Sequence, residues 1–478
     1  MSGGSLHSAI SSASSLAAAR TALEGVEAVW IVGGAIRDAL LGQRVIDADL
    51  AVEPGGEEEA ARAIAKVAGG FSFALSEEHA TWRAVSSDHE WHVDVAPLRA
   101  ETIEDDLHAR DFTVNAIAVP LAGGDPLDPT GGLADADRHV LRAASEASFE
   151  RDPIRLLRAV RLAAGHRLTI ERATSDLARA ASTRAADPAG ERQFAELRGI
   201  VDGPDPLGGL SLLDDLGLTP VVLPELEALR GVIQNPNHHL DVLGHTLAVL
   251  EEWLGIEADL EGFARELAAE VEEFLAEPLA DELTRRGALR FGALFHDLGK
   301  PGTREEGSGY VTFIGHDEVG ARITAEICRR LRASRKLSIH LQGLARHHLR
   351  LGFLIHERPV SRRAVYRYLA ATEPVGADVT LLSVADRLAA RGEGPIASEE
   401  MIEAHLELAR EILPEAIAWH REPPTPPLNG DQLAAETGLR PGPEMGKVLE
   451  RLRLAAFTGE IHGHEQAIQL ARRLLEQG

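Results

Sequence analysis

Two patterns of apolar and polar positions divide the 478-residue chain near residue 145. Before that point, short apolar runs typical of β-strands, such as AVWIVGG, ADLAVE and HVDVA, alternate with segments of helical periodicity. From about Phe149 onward, apolar residues recur three and four positions apart, which places them on one face of a helix. The pattern predicts an α+β protein, with a small sheet in an α/β first part and helices in the remainder.

The length of the chain predicts several domains, because one hydrophobic core rarely serves so many residues. A proline-rich stretch, REPPTPPLNG, predicts a linker before a helical tail. With the change of pattern near residue 145, these features predict four domains. They are an α/β head over residues 26–145, a helical neck over 146–230, a second helical domain over 231–395 and a helical tail over 396–478.

Composition and charge limit the possible functions. No run approaches the roughly 20 apolar residues that a membrane span needs, and the first residues lack the positive charge that opens a signal peptide, so we expect a loose N-terminal end, no membrane anchor and a cytoplasmic enzyme. The single cysteine, Cys328, excludes an internal disulfide and a cysteine-based metal site. The net charge of -26 opposes nonspecific attraction to a polyanion, although three arginine clusters leave a local path for nucleic acid open.

Candidate chemistry begins in the segment VWIVGGAIRDALLGQRVIDADLAVE. A strand that runs into Gly33 and Gly34 and then into a helix presents backbone N–H groups where a phosphate could bind. If VIDADLAV is a strand, Asp47 and Asp49 point to the same face, and Asp94 adds a carboxylate from another β-type segment. Carboxylate oxygens are the ligands that Mg²⁺ prefers, so these aspartates predict a Mg²⁺ and nucleotide site.

Several long motifs resemble one family. GGAIRDALLGQRVIDADLAV, DDLHARDFTVNAIAV, DPTGGLADADRHVLR and RDPIRLLRAVRLAAG are similar to successive motifs of the class II tRNA nucleotidyltransferases and of the related bacterial poly(A) polymerases. The tail segment LNGDQLAAETGLRPGPEMGKVLERLRLAAFTGEI is similar to the C-terminal segment of the same family. The resemblance implies a polymerase-β-type nucleotidyltransferase head and template-independent addition of C, and of A, from CTP and ATP to the 3′ end of tRNA.

The resemblance also implies roles for individual residues. Asp47 and Asp49 would hold Mg²⁺ and act in catalysis together with Asp94. Nucleotide binding would fall to a set that surrounds the triphosphate and ribose, namely Gly33, Gly34, Arg37, Arg110, Asp111 and Asn115. The family often has a second arginine where this chain has Ala109, so one donor is missing there.

The segment RDPIRLLR suggests how a protein could select a base. Asp152 and Arg155, three apart, are expected on one face of a helix, and Arg158 extends that face. A carboxylate that accepts beside a guanidinium that donates suits the edges of C and A and opposes those of G and U. Family members usually carry Glu at the position of Arg151, which leaves the orientation of the pair open.

A short connection between Asp94 and Arg110 bears on the product. CCA-adding members commonly have a longer flexible loop here, and CC-adding relatives have a shortened one. Addition of CC alone is therefore an alternative, members that add only A exist as well, and a poly(A) polymerase is a further alternative.

A second set of residues resembles the HD phosphohydrolase superfamily. His245, His296, Asp297 and Asp386 fit its pattern of ligands for a divalent metal whose identity the sequence does not give. His316 and His347 could support a second metal or orient a phosphate. The resemblance implies a phosphodiesterase or phosphatase activity over residues 231–395, and a metal phosphohydrolase that works mainly through this site is the alternative from another class.

Overall fold

The computed structural model describes residues 10, 12–76, 80–307 and 310–476. The loose N-terminal end expected over residues 1–9 lies outside this part. The chain divides into two compact units, Met1–Val222 and Leu223–Gly478. No helix in the described ranges is both long and apolar enough to cross a membrane.

The first unit contains a mixed six-stranded sheet of order β3-β4-β5-β2-β1-β6. Its strands are β1 (Val29–Val32), β2 (Ala48–Val52), β3 (Phe71–Ser76), β4 (Thr81–Val85), β5 (His92–Pro97) and β6 (Ala118–Pro120). The pair β2 and β5 is parallel, and the other neighbours are antiparallel. A separate parallel pair consists of β7 (Val140–Leu141) and β8 (Thr169–Ile170).

Helices cover one face of this sheet and continue beyond it. They are α1 (Ser14–Ala22), α2 (Gly34–Leu40), α3 (Glu57–Val67), α4 (Ile103–Ala109), α5 (Gly132–Asp137), α6 (Ser148–Arg151), α7 (Arg155–His166), α8 (Arg172–Ala181), α9 (Gly190–Val201), α10 (Pro206–Asp215) and α11 (Thr219–Val222). Alternation along β2 sends Leu50 and Val52 into a core with α1 and α3, where Leu16 and Ile64 are fully buried. Asp49 therefore lies on the opposite face of the sheet, which these two helices leave uncovered.

The second unit is helical apart from two small hairpins. Its helices are α12 (Pro224–Glu227), α13 (Val242–Ala258), α14 (Leu260–Ala264), α15 (Ala268–Ala276), α16 (Arg285–Phe295), α17 (Lys300–Thr303), α18 (His316–Arg330), α19 (Arg335–His347), α20 (Arg350–Leu354), α21 (Arg362–Thr372), α22 (Gly376–Ala389), α23 (Glu399–Arg421), α24 (Gly430–Thr437), α25 (Pro443–Thr458) and α26 (Gly463–Glu476). The hairpins are β9 (Pro278–Ala280) with β10 (Leu283–Thr284), and β11 (Glu305–Gly307) with β12 (Tyr310–Thr312).

The predicted fold class, an α/β head followed by helices, is confirmed by this architecture. The last three helices share a hydrophobic core of their own, which contains the buried Leu433 and Leu452. The division at residue 222 lies close to the predicted end of the neck at residue 230. The finer division into four domains stays a prediction.

Candidate functional site

In the first unit, the face of the sheet that carries Asp49 borders a cavity of about 530 Å³. The parallel register of β2 and β5 places Asp49 directly opposite Asp94 on this face. The other sequence-predicted residues that line the cavity are Gly33, Gly34, Arg37, Arg110, Asp111, Asn115, Asp152, Arg155 and Arg158. Of the candidates in this unit, Asp47 alone is missing from the lining.

The turn between β1 and α2 requires glycine at its first position. Gly33 has a φ of 70°, in the left-handed region, and a Cβ built there would lie 3.1 Å from Oδ2 of Asp49. The N–H of Gly34 donates a hydrogen bond to the Asp49 carboxylate. The turn thus brings backbone N–H groups beside Asp49 at the start of a helix, as the sequence predicted.

The two facing carboxylates have different partners. Asp94 accepts two hydrogen bonds from Arg83, at 2.7 Å from Nε to Oδ1 and 2.8 Å from Nη2 to Oδ2. The Asp49 side chain is open to the cavity, but protein atoms packed around it desolvate it and thereby raise its pKa, and the charge of Asp94 raises this pKa further. Arg110 and Arg37 act in the opposite direction. This crowding of negative charge favours a cation at the site.

Asp47 lies just outside strand β2, which begins one residue later, at Ala48, so the predicted alternation of Asp47 with Asp49 stays a prediction. The Asp47 side chain is exposed, and its Oδ1 accepts from the backbone N–H of His92 at 2.8 Å and lies 2.9 Å from His92 Nδ1. It still lies near the cavity, because its charge, like those of Asp49 and Asp94, raises the pKa of Arg83.

A chain of hydrogen bonds runs along the opposite wall of the cavity. Arg37 Nη1 donates to Asn115 Oδ1 at 3.0 Å, and Asn115 Nδ2 donates to Asp111 Oδ1 at 3.0 Å. Arg158 Nη1 then donates to Asp111 Oδ2 at 3.1 Å, while its Nε donates to the buried Glu196 at 2.9 Å. Burial alone would raise the pKa of Asp111, but Arg158 and the hydrogen bonds outweigh it, and the pKa lies below its usual value.

Asp152 and Arg155 are not on one helix, which corrects the prediction from their spacing. Asp152 has φ -148° and ψ 100° between α6 and α7, because a residue before proline, here Pro153, is disfavoured in the α region. Its carboxylate lies 2.7 Å from Arg192, and Arg155 donates to the carbonyl oxygens of Ala109 and Arg110. Both side chains nevertheless line the cavity.

The second unit contains a buried cluster of histidines and aspartates. Asp241 caps the N-terminus of α13 by accepting from the Gly244 N–H, so His245 stands in the first turn of the helix. His245 Nε2 lies 3.0 Å from Oδ1 of Asp386, which α22 supplies. His296 and Asp297, directly after α16, complete the predicted quartet, with 3.1 Å between His296 Nε2 and Asp297 Oδ2. The structure therefore brings all four residues together.

Two further histidines face the same aspartate, and one of them is not the residue that the sequence suggested. His316 Nε2 and His348 Nε2 lie 3.4 and 3.7 Å from Asp297 Oδ1. The predicted His347 is half-buried and accepts a hydrogen bond from Arg350 instead. Helix α19 ends at His347, and the next residue, His348, turns inward as its C-cap. The choice of His347 was wrong, because the neighbouring histidines in ARHHL cannot be distinguished by composition.

Hydrogen bonds assign the tautomers of three of these histidines. The Nδ1 atoms of His296, His316 and His348 lie 2.7 to 2.8 Å from backbone carbonyl oxygens, so Nδ1 carries a proton in each ring, and the neutral form of each ring offers a lone pair on Nε2. The Nε2 atoms of His316 and His348 face each other at 3.2 Å. Two lone pairs at this distance repel unless a proton or a metal ion lies between or beside them.

Unsatisfied polar atoms test whether a cation fits the cluster. Within the described residues, His296 Nε2 and both carboxylate oxygens of Asp297 are buried without an aligned hydrogen-bond donor. Burial would raise the pKa of Asp297, but His296 and Lys300 hold it well below its usual value. Two groups of ligand atoms each lie within 4.8 Å of one another: His245, His296 and Asp386, and Asp297, His316 and His348. These donor sets fit divalent metal ions.

Sequence reasoning missed several polar residues at the two sites. Lys300 Nζ lies 2.6 Å from Asp297 Oδ2 and donates to Gln234 at 2.7 Å. The ring of His238 lies 4.5 Å from that of His245. In the first unit, Arg83 is the partner of Asp94. Lys300 belongs to the HDLGK motif and could have been found by its i,i+3 spacing from Asp297.

A close backbone contact fixes the distance between the two ends of the cluster. A Cβ at Gly299 would lie 2.1 Å from the carbonyl oxygen of His316 and 2.6 Å from the N atom of Gly320. Only glycine permits this approach of the HDLGK segment to α18. The contact holds the backbone of His316 against the segment that carries Asp297.

Two protein-family models match parts of the chain. The Poly A polymerase head domain matches residues 29–142, and the HD domain matches residues 260–391. The first match contains β1 to β6 and the three aspartates. The second contains His296, Asp297 and Asp386 and begins after His245.

Curated relatives match almost the whole chain. The A-adding tRNA nucleotidyltransferase of Deinococcus radiodurans is 35% identical over 455 residues, which cover 94% of this chain and 95% of the relative. The CC-adding tRNA nucleotidyltransferase of Thermus thermophilus is 33% identical over 446 residues, 91% of each chain. A solved structure of a CCA-adding enzyme with ATP has a TM-score of 0.62 at 20% identity and covers 97% of this chain and 95% of its own. That structure supports the fold alone.

Proposed function

The chain belongs to the tRNA nucleotidyltransferase family, and we propose that its first unit adds cytidylyl and adenylyl groups from CTP and ATP to the 3′ end of tRNA without a template. The observation that carries the proposal is the cavity in which Asp49 and Asp94 face each other beside the Gly33 turn and a wall of arginines. Acidic groups on one side and guanidinium groups on the other suit a triphosphate with its counterions.

The residues divide the work of nucleotidyl transfer. Asp49, Asp94 and the adjacent Asp47 would hold Mg²⁺, and hard carboxylate oxygens fit this ion. A bound divalent ion supplies charge neutralisation at the reacting phosphate. Because the protein itself forms no covalent bond with the substrate, its own contribution is positioning. The Gly33 and Gly34 turn and Arg37 bind the phosphates.

The residues proposed to select the base lie together in the lining of the same cavity. Asp152 offers an acceptor, and Arg155 and Arg158 offer donors, in a cavity that also holds the ribose-binding candidates Arg110, Asp111 and Asn115. This donor and acceptor set suits the edges of C and A. Because Asp152 pairs with Arg192 and Arg155 with backbone carbonyls in the structure, a bound base has to exchange with these partners.

A single-nucleotide extension assay tests this proposal. Transcripts of one tRNA that end before CCA, after C, or after CC would be incubated with the protein, Mg²⁺ and CTP, ATP or both, with GTP and UTP as controls. We expect extension with CTP and ATP and none with GTP or UTP. Incorporation of GTP or UTP at a similar rate would contradict the base-reading role, and an unlimited run of A would indicate a poly(A) polymerase.

A second candidate is addition of only part of the CCA sequence. Two relatives add A alone and CC alone, by their names, and the connection between Asp94 and Arg110 is short. The same assay separates the cases: extension by three nucleotides supports full addition, arrest after CC supports a CC-adding enzyme, and extension of the CC transcript alone supports an A-adding enzyme.

For the second unit, we propose a metal-dependent phosphoester hydrolase. His245, His296, Asp297 and Asp386 would hold a divalent ion, which supplies a water of lowered pKa when bound, and His316 and His348 lie where they could hold another. Lys300 would neutralise an anionic substrate beside Asp297. Hydrolysis of a nucleoside 2′,3′-cyclic phosphate, assayed with Mg²⁺, Mn²⁺, Co²⁺ and Ni²⁺, tests this proposal and identifies the metal. Absence of hydrolysis with every ion would contradict it.

A further inference from the structure

Exposed apolar side chains gather at the mouth of the cavity that leads to the histidine and aspartate cluster. This cavity, of about 520 Å³, is lined by Asp297, His316 and His348 at its polar end. Tyr310, Ile314, Leu349 and Phe353 line it as well, and they are 53%, 83%, 36% and 68% exposed. They make up four of the thirteen large apolar residues that are exposed in the described ranges. Single exposed apolar residues are ordinary, but a group around one cavity indicates a binding surface.

The inner end of the cavity combines two cations with the carboxylates of Asp297, Asp317 and Asp386, so an anion fits it when divalent ions neutralise the carboxylates. Lys300 lines it, and so does Arg387, whose Nε atom is buried without a hydrogen-bond partner among the described residues. Arg387 Nη1 donates to the carbonyl oxygen of Ile396, which holds the guanidinium group in place beside the cavity. A ligand that fills the cavity therefore has a charged group for the inner end and an apolar group for the mouth.

The residues at the mouth favour a planar apolar group. Tyr310 follows the turn of the β11–β12 hairpin, and Phe353 belongs to helix α20, so two separate elements contribute aromatic rings to the same cavity. Aromatic side chains stack on nucleobases without regard to base identity. The volume lies within the range of small-ligand sites. A nucleoside phosphate joins both kinds of group at this scale.

We propose that Tyr310 and Phe353 form a base-binding wall that holds the base of a nucleoside phosphate, free or at an RNA 3′ end, while its phosphate lies at Lys300 and the cluster. The assignment rests on the hydrolytic function proposed above for the second unit, and it adds the part of the substrate that this site recognises. Selection comes from stacking, so the wall accepts any of the four bases and rejects phosphoesters without a base.

Fluorine NMR tests the wall without reliance on catalysis. The chain has three tyrosines, of which Tyr366 and Tyr368 are buried, so 3-fluorotyrosine labelling reports on Tyr310 at the cavity. The Y310F variant assigns the signal. We expect adenosine 3′-monophosphate to shift the Tyr310 signal in protein supplied with Mg²⁺ and ribose 5-phosphate to leave it unchanged. No shift with either the nucleotide or a 3′-phosphorylated oligoribonucleotide, or an equal shift with ribose 5-phosphate, would overturn the wall.

Matched variants add an affinity measurement. Loss of one stacked ring costs about tenfold in affinity, so Phe353→Ala should raise the dissociation constant read from the Tyr310 signal by about that factor. Ile339→Ala removes another exposed apolar side chain, which does not line the cavity, and should change nothing. Equal effects of the two substitutions would contradict the assignment. In hydrolysis, Tyr310→Leu should raise KM for the nucleotide more than it lowers kcat, and Tyr310→Phe, which keeps the aromatic ring, should bring KM back toward the wild-type value.

Comparison of the NMR signal with hydrolysis distinguishes the base-binding wall from the hydrolytic function. Comparison of two ligands distinguishes a free nucleotide from an RNA 3′ end. Hydrolysis without movement of the Tyr310 signal would overturn the wall and leave the hydrolytic function intact. Movement of the signal without hydrolysis by any metal would support the wall and remove the hydrolytic function. A shift with both adenosine 3′-monophosphate and a 3′-phosphorylated oligoribonucleotide supports a wall for either source, and a shift with the oligonucleotide alone supports one that holds a terminal base.

Discussion

The two cavities differ in how their charged groups are satisfied. In the first unit, the cavity carboxylates Asp94 and Asp152 are paired with Arg83 and Arg192. In the second unit, both carboxylate oxygens of Asp297 and the Nε2 atom of His296 are buried without an aligned hydrogen-bond donor in the described part of the chain. Two carboxylates of the first site are therefore satisfied by the protein itself while Asp49 is open to the cavity, whereas the unsatisfied atoms of the second site are buried.

This difference indicates two ways of preparing a site for a charged ligand. Buried polar atoms without partners cost stability, so a cluster that retains several of them is expected to gain a ligand that satisfies them. A site whose carboxylates already have guanidinium partners has no such deficit, and its ligand must exchange with those partners. We therefore expect the second site to depend more strongly on metal for stability and the first to depend on metal mainly for catalysis.

The largest expected effect comes from removing one carboxylate from each site. Asp49→Asn should lower nucleotide incorporation by about 10³-fold, because charge stabilisation at the reacting phosphate is lost, and should leave phosphoester hydrolysis unchanged. Asp297→Asn should lower phosphoester hydrolysis and leave nucleotide incorporation unchanged. Extension and hydrolysis assays on both variants measure the four rates. Loss of both activities in either variant would show that the sites are not independent.

Adjacent histidines provide a sharper comparison within the second site. His348→Asn should lower hydrolysis by about 100-fold through weaker metal binding, because His348 Nε2 faces Asp297. His347→Asn, one residue away, should have no effect on hydrolysis, since His347 pairs with Arg350. Steady-state kinetics over a series of divalent-metal concentrations, from well below saturation upward, measure both variants. A larger loss in the His347 variant would contradict the placement of the two rings.

Metal removal should affect the stability of the second unit. A metal ion at 100 times its dissociation constant stabilises the folded state by about 2.7 kcal/mol, so a chelator should lower the melting temperature of the unit that contains Asp297. Differential scanning calorimetry with and without chelator measures the change. Asp49→Asn protein should respond like the wild type, and Asp297→Asn protein should respond little. If the chelator lowered the melting temperature of the wild type strongly but not that of the Asp49→Asn variant, the first site rather than the second would depend on metal for stability.

The smallest predicted effect concerns the satisfied network in the first unit. Asp111→Asn should lower the free energy of unfolding by about 2 kcal/mol at pH 7, because Asp111 accepts charged hydrogen bonds while buried. Since the pKa of Asp111 is lowered in the folded state, its contribution is present above the pKa of the unfolded chain and is lost as the pH falls through the folded value.

Urea unfolding of the wild type and the variant at pH 7 and at successively lower pH measures this difference, which should shrink as the solution is acidified. Asp152→Asn is the control, because the Arg192 side chain that pairs with Asp152 is half exposed and such pairs contribute little. A difference that grows toward low pH would contradict the assigned direction of the pKa.

The sequence predicted the parts of the molecule that depend on local pattern. The short apolar runs became β1, β2 and β5, and the Gly33 turn lies beside Asp49 as expected. The membership of the tRNA nucleotidyltransferase family, inferred from the motifs, is confirmed by the relatives. The roles of the individual site residues remain predictions for the experiments above.

Contacts between distant segments could not be predicted in the same way. The pairing of Arg83 with Asp94 depends on the register of β4 against β5, and that of Asp152 with Arg192 depends on the packing of α9. The error over Asp152 had a local cause that the sequence did contain, because Pro153 follows it and excludes the helical conformation. The error over His347 had no such local cause, because the residue at which helix α19 ends decides which of the two neighbouring histidines turns inward.

The backbone contact at Gly299 has a consequence for how the second site could vary between related proteins. Ligand positions that depend on side-chain packing can drift through a series of small compensating substitutions. Here the backbone itself is the spacer, because a Cβ at position 299 would collide with the carbonyl oxygen of His316. We therefore expect any substitution of Gly299 to displace Asp297 and His316 from each other, and so to disturb all the ligands of this site together.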